Sequence, residues 1–110
     1  MIHEHIEQIQ AKLQNADSIQ PETRTELLNL LSQLKAEVGT LSQTHEEDAR
    51  SVTGFVAASA HEATRKEKKP ELLEHALQGL TSSAKEIATS HPQLADVVNR
   101  IAVTLSNMGI

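Results

Sequence analysis

The sequence contains no cysteine, tryptophan or tyrosine, and Phe55 is its only phenylalanine. Without cysteine the chain has no disulfides, no thiolate catalysis and no zinc site of the cysteine type. With Phe55 as its only Phe, Tyr or Trp ring, the chain also lacks the aromatic platforms on which the bases of single-stranded nucleic acids usually stack. Nowhere do about 18 consecutive apolar residues occur, so the sequence predicts no membrane-spanning helix.

The sequence also lacks the motifs of the common enzyme classes. The four glycines, at positions 39, 54, 79 and 109, are too scattered to form a phosphate-cradling loop. No Gly-x-Ser-x-Gly nucleophile elbow is present. None of the six histidines follows a glutamate by three residues, as di-iron bundles require, and Arg65 stands where a zincin motif starting at His61 needs its second histidine. We therefore expect no enzyme activity, no metal and no cofactor.

Positive charge is scarce, since ten Lys and Arg residues face fifteen Asp and Glu residues, for a net charge of −5. An acidic chain repels nucleic-acid phosphates unless its cations gather on one face. The one concentrated group is Arg65, Lys66, Lys68 and Lys69. It supports an alternative function as a nucleic-acid- or ribosome-associated factor. The competing interpretation is that these cations stabilise the negative end of a helix, and we expect nucleic acid not to be the partner.

Apolar residues recur at three- and four-residue steps along nearly the whole chain. This spacing places each set on one side of a helix. The five stripes are Ile2, Ile6, Ile9, Leu13 and Ala16; Leu27, Leu31, Leu34, Val38 and Leu41; Ala49, Val52, Val56, Ala60 and Ala63; Leu73, Leu77, Leu80, Ala84 and Ile87; and Leu94, Val98, Ile101, Leu105 and Met108. The predicted fold is therefore all-α, a small antiparallel bundle of four to five helices.

Proline, glycine and capping patterns predict the helix boundaries. Pro21 and Pro70 suit the first turn of a helix, where the missing N–H costs nothing. Two capping boxes are expected, Thr44 to Glu47 and Ser90 to Gln93. Gly109 suits a C-terminal cap, and Ile110 is expected to fold back on the last turn. The predicted helices are 2–16, 21–41, 45–68, 70–89 and one starting at about 91.

The connection between the second and third helices has two interpretations. Gly39 is a candidate helix cap, which predicts a break near 40–44. Alternatively the apolar stripe continues without a gap through Leu41, His45 and Ala49, which is typical of one long helix. We expect the break, with His45 in the loop or in the first turn of the next helix. On the other interpretation His45 lies on the apolar seam as a pH-sensitive contact.

The chain is predicted to form a single domain over 1–110. Its parts are an N-terminal helical hairpin (1–44), a helix with a small-residue face (45–69) and a C-terminal helix pair (70–110). An apolar fraction of 38% predicts a thin aliphatic core. Burial shared between copies stabilises such a fold, so we expect contact with another protein or self-association, with a dimer as the expected order.

A self-association surface requires an apolar helix face, and the fifth helix has the widest one. The candidate interface residues are Val98, Ile101, Leu105 and Met108, with Leu27, Leu31 and Leu34 of the first hairpin as a second choice. No small-molecule substrate is implied. The first five residues have neither the basic nor the apolar region of a secretory signal, so we expect a soluble cytoplasmic protein.

Short motifs near the two ends carry a family resemblance. They are Pro21-Glu22-Thr23-Arg24 with Glu26-Leu27-Leu28, then Ser90-His91-Pro92-Gln93-Leu94, Val98-Asn99-Arg100-Ile101 and Leu105-Ser106-Asn107-Met108-Gly109-Ile110. On these motifs the chain resembles a bacterial family known as domain of unknown function 4404. The resemblance implies a small helical bacterial protein and assigns neither an activity nor a site. If the last four residues have a shared role, they contact a partner.

Overall fold

The computed structural model describes residues 2–17 and 19–109, and within these ranges it contains five α-helices and no strand. The helices are α1 (Ile2–Gln14), α2 (Pro21–Ser42), α3 (Glu46–Ala63), α4 (Pro70–Ile87) and α5 (Pro92–Gly109). The predicted all-α fold class is confirmed. Gly109 lies inside α5 and does not cap it, and the predicted placement of Ile110 falls outside the described residues.

Prolines begin three of the five helices, at Pro21, Pro70 and Pro92. A residue before proline is pushed towards extended conformations, and Gln20 has φ −65° and ψ 146° for this reason. The fixed φ of proline and its missing N–H suit the first helical position. The two predicted proline starts, at Pro21 and Pro70, are confirmed.

The two predicted capping boxes do not form. The residue preceding α3 is His45, and its side chain makes no capping hydrogen bond. The Thr44 hydroxyl instead lies 2.8 Å from Nδ1 of the His45 ring, to which it is hydrogen-bonded. At α5 the first helical hydrogen bond runs from the Ala95 N–H to the His91 carbonyl, so His91 occupies the cap position and Ser90 lies outside the helix.

The predicted break between α2 and α3 is confirmed, and it lies at residues 43–45. Gly39 is not the cap, because α2 continues through it to Ser42. The Leu41 carbonyl accepts hydrogen bonds from the N–H groups of both Thr44 and His45, at 3.2 and 2.8 Å. This tight turn separates the two helices and excludes the single long helix.

Helix α3 ends at Ala63, five residues before the predicted end at residue 68. The Thr64 hydroxyl donates to the Ala60 carbonyl at 2.7 Å, and the Lys68 ammonium donates to the Ala63 carbonyl. The Ala60 carbonyl also accepts from the Thr64 N–H at 3.1 Å, whereas the Lys68 ammonium supplies the Ala63 carbonyl with a donor that a longer helix would supply from its own backbone. Residues 64–69 then connect α3 to the antiparallel α4.

The helices pack so that α3 contacts all four of the others, and α5 contacts α2, α3 and α4. The molecule measures 37 × 24 × 21 Å. The buried apolar residues of all five helices form one cluster, which includes the predicted small-residue face of α3, Ala49, Val52, Val56, Ala60 and Ala63. Small side chains let other helices approach α3 closely.

None of the helices in the described ranges has the length and apolar character that crossing a bilayer requires.

Candidate interaction surfaces

The residues predicted as a self-association interface lie inside the monomer. Each of the first six is at most 1% exposed, and the seventh is partly buried against the same core; they are Leu27, Leu31, Leu34, Val98, Ile101, Leu105 and Met108. Because the five stripes of one chain cover one another, the first six side chains are covered by their own chain, and Met108 alone is partly open to solvent. A contact surface on the folded chain therefore needs other, more exposed residues.

One surface groove runs along the contact between α4 and α5. It consists of two adjoining clefts of about 510 and 350 Å³, which share Thr81. The larger cleft is lined by Pro70, Leu73 and Leu77 of α4 and by Ser106 of α5. The smaller cleft is lined mainly by small and polar side chains. The groove is therefore apolar at one end and polar at the other.

Two opposite charges stand on the flank of α4 that faces this groove. Glu74 lines the larger cleft and Lys85 lines the smaller one. They are eleven residues apart, or about 16 Å along the helix, which returns both to the same side. Both residues are exposed, and neither takes part in the ion pairs found among the described residues. We call this feature, from Glu74 to Lys85, the α4 charge pair.

A second surface feature lies on the opposite flank of α4, against α3. Phe55 of α3 is 38% exposed, and its ring lies directly on Gly79 of α4. A Cβ atom at position 79 would stand 2.3 Å from Cε1 of the ring, so a larger residue there would displace the ring. The ring borders a cleft of about 270 Å³, which we call the Phe55 cleft.

The rest of the Phe55 cleft is polar and acidic. Three serines, at positions 51, 82 and 83, supply hydroxyl groups, and Asp48 and Glu86 supply carboxylates. No lysine or arginine is among the residues that line the cleft. Helices α3 and α4 are antiparallel neighbours, which brings the first turn of one beside the last turn of the other. The sequence alone does not reveal this site, because Asp48 and Glu86 are 38 positions apart in the chain.

Val103 is the most exposed large apolar residue in the described part of the chain, at 61%. It lines a cleft of about 400 Å³ between the start of α2 and the end of α5, with Ile19, Thr23 and Met108 among the other lining residues. Of the seven predicted interface residues, Met108 alone borders this cleft. One sequence feature indicates the exposure of Val103: this apolar residue falls outside the apolar stripe of α5.

The basic residues of the 65–69 segment interact with their own chain. Arg65 pairs with Glu62 at 2.9 Å, and Lys69 pairs with Glu67 at 3.0 Å. Lys68 donates to the Ala63 carbonyl, at the negative end of α3. The segment thus has the contacts that the helix-end interpretation predicts. The nucleic-acid function based on Arg65, Lys66, Lys68 and Lys69 stays a prediction.

The histidines are spread over several contacts. The His45 and His91 rings meet edge to face with centroids 6.1 Å apart, which joins the α2–α3 and α4–α5 turns. His61 Nδ1 lies 2.9 Å from the Lys12 ammonium. Across residues 2–17 and 19–109, no three His, Asp or Glu side chains stand close enough to share a metal ion. His45 itself lies in the turn between α2 and α3, as expected, and not on an apolar seam.

A family model matches the chain over residues 27–110, which is more than half of its length. The match includes the C-terminal motifs that carry the resemblance and also residues 45–69. It begins after the Pro21-Glu22-Thr23-Arg24 motif. Comparison with curated proteins and comparison with solved structures gave no significant match. The chain belongs to the family described as Domain of unknown function (DUF4404).

Proposed function

We propose that the protein works as a helical interaction module that pairs with a second copy of itself through the groove between α4 and α5. The observation that supports this proposal is the α4 charge pair. Glu74 and Lys85 have opposite signs, stand on one flank of one helix and have no ion-pair partner among the described residues.

A two-fold symmetric contact brings the same surface of each copy against itself. If two α4 helices lie antiparallel across the axis, Glu74 of one copy faces Lys85 of the other, and the reverse pair forms at the same time. The axis then passes near Gln78 and Thr81, midway between the two charges. One helix therefore supplies both halves of two intermolecular ion pairs.

The groove also offers apolar area to such a contact. At its larger cleft Pro70 is exposed and Leu77 is half-buried, whereas Leu73 is buried beneath the surface. Helix α4 runs beside the groove for 18 residues, or about 27 Å. Stable protein pairs bury about 1,200–2,000 Å² in total. One helix flank is too narrow for this area, so the contact extends over α5 as well as α4.

Charge reversal at the α4 charge pair tests the proposal. Glu74→Lys and Lys85→Glu each replace two attractive pairs by two repulsive ones, and we expect either variant to weaken dimerisation about tenfold. The double variant carries both changes and restores the attractive pairs in reversed order, so its dissociation constant should return close to that of the unchanged protein. Sedimentation velocity over a range of concentrations measures all four proteins.

The matched control is Glu71→Lys, a charge reversal on the same helix at an exposed residue outside both clefts. It should leave the dissociation constant unchanged. A strict monomer of 12.0 kDa throughout the micromolar range refutes self-association. A dimer that none of the α4 variants affects refutes the α4–α5 groove as its surface.

A further inference from the structure

We propose that the Phe55 cleft binds the side chain of a lysine or arginine residue of a partner protein. The site is centred on Phe55 and Gly79, on the side of α4 that packs against α3, and it adjoins the groove of the proposed dimer because Ser82 lines both. Three properties of the cleft point to such an occupant: the exposed ring, the negative charge and the size.

The ring supplies the apolar part of the site. The Phe55 ring packs on Gly79, where the absence of a side chain leaves room for it. A fraction of 38% of the residue remains open to solvent. Lysine and arginine lay their apolar stems along such surfaces while their charged heads stay polar. A cation near an aromatic ring also gains an electrostatic attraction, which is strongest over the ring face. A purely apolar occupant would contact the ring but would leave the carboxylates and hydroxyls of the cleft without partners.

The polar part of the site carries negative charge only. Asp48 is two helical turns before Phe55, so its carboxylate lies about 10 Å along α3 from the ring position. Glu86 joins it from α4, and no cation lines the cleft. Ammonium and guanidinium groups carry several N–H donors and no acceptor. Carboxylates and the hydroxyls of Ser51, Ser82 and Ser83 match these donors.

The size of the cleft favours a single side chain. Its volume of about 270 Å³ lies below the range of roughly 300–1,000 Å³ that is typical of sites for small organic ligands. A single long side chain inserted from a neighbouring protein has room in such a space, whereas a drug-sized ligand does not. The net charge of the chain, −5, further favours approach by a basic partner.

Proton NMR on the unlabelled protein tests this site directly. Phe55 is the only phenylalanine and the chain has no Tyr or Trp, so its ring resonances stand apart from those of the histidines. The probes are the capped tripeptides acetyl-Ala-Lys-Ala-amide and acetyl-Ala-Arg-Ala-amide, the uncharged norleucine analogue, and the free polyamine spermidine. We expect the lysine or the arginine peptide to shift the Phe55 resonances in a saturable way, and the norleucine peptide not to do so.

Variants identify the contacts. The Asp48→Asn, Glu86→Gln double variant keeps the shape of the cleft, and we expect it to weaken binding of the cationic peptide about tenfold. The matched control, Glu47→Gln with Glu71→Gln, removes the same number of charges outside the cleft and should not change the affinity. Both pairs alter exposed residues, so they test the site while leaving the contact between Phe55 and Gly79 unchanged.

Three results overturn the proposal. One is the absence of any saturable Phe55 shift with either cationic peptide. Another is equal binding of the norleucine peptide, which makes the cleft merely apolar. The third is tighter binding of spermidine than of both peptides, which assigns the site to a free polyamine and not to a protein side chain.

Discussion

At the scale of single residues, two glycines inside helices have opposite roles. A Cβ atom at Gly54 meets nothing within 4 Å, whereas one at Gly79 meets the Phe55 ring at 2.3 Å. Alanine is about 1 kcal/mol better than glycine inside a helix. We therefore expect Gly54→Ala to raise the free energy of unfolding by about 0.5–1 kcal/mol. In Gly79→Ala the displaced ring offsets this gain, and the Phe55 resonances should move.

Denaturant unfolding followed by circular dichroism measures both variants. Equal stabilisation by the two substitutions, with unchanged Phe55 resonances, would show that the ring does not lie on Gly79. The sequence could not predict this contact. Glycine in a helical pattern gives no sign of whether its neighbourhood is open or filled, since that depends on the register of α3 against α4.

An ion pair between α1 and α2 makes a prediction about pH. The Lys35 ammonium lies 2.6 Å from a carboxylate oxygen of Glu7, and its hydrogen bond and charge lower the pKa of Glu7 below the usual 4.5. Because the folded pKa is lower than the unfolded one, the stabilisation is present above the unfolded pKa and is lost as the pH falls through the folded pKa.

The Lys35→Met variant should raise the pKa of Glu7 towards its usual value, and carboxyl chemical shifts followed by NMR titration measure it. Glu4 has no such lysine partner among the described ion pairs and serves as the internal reference. A Glu7 titration that is identical in both proteins would show that the ion pair does not form in solution.

At the scale of helices, the starts were easier to predict than the ends. Pro21 and Pro70 mark the starts of α2 and α4 because proline acts locally on its own backbone and on the preceding residue. The end of α3 at Ala63 instead depends on side chains that fold back onto it, Thr64 and Lys68. No local pattern distinguishes such a lysine from its neighbours.

The Lys68→Met variant tests this account of the helix end. Loss of the ammonium leaves the Ala63 carbonyl without its donor, so we expect the last turn of α3 to open more often. Amide hydrogen exchange at residues 60–64 should become faster in this variant. In Lys66→Met, the exposed neighbour that serves as control, exchange should stay unchanged. Identical exchange in both variants would mean that Lys68 does not cap α3.

At the scale of the whole molecule, periodicity predicted the helices but did not distinguish an internal face from a contact surface. The stripe residues Leu27, Leu31 and Ile101 were correctly expected to need cover, but periodicity does not tell whether that cover comes from the same chain or from another. In this fold the five apolar stripes bury one another within a single chain. The Phe55 cleft combines residues of α3 and α4, and the groove combines α4 with α5, so only the three-dimensional arrangement reveals these clefts, although Glu74 and Lys85 both belong to α4.

A pair of substitutions on α5 tests the buried role of the stripe. Ile101 is 1% exposed, whereas Val103, two residues later, is 61% exposed. Placing an unpaired carboxylate in the core costs several kcal/mol. Ile101→Asp should therefore lose its helical circular dichroism, while Val103→Asp should remain folded. A folded Ile101→Asp protein of unchanged size would contradict the described core.

The most direct test of the proposed pairing is to mix the two single charge variants. Glu74→Lys carries two lysines at the α4 charge pair and Lys85→Glu carries two glutamates, so each repels its own kind and attracts the other. Sedimentation velocity should show that each variant alone dimerises about tenfold more weakly than the unchanged protein, and that the equimolar mixture forms a species of twice the 12.0 kDa chain mass. A mixture that dimerises no more tightly than its separate components would contradict the account.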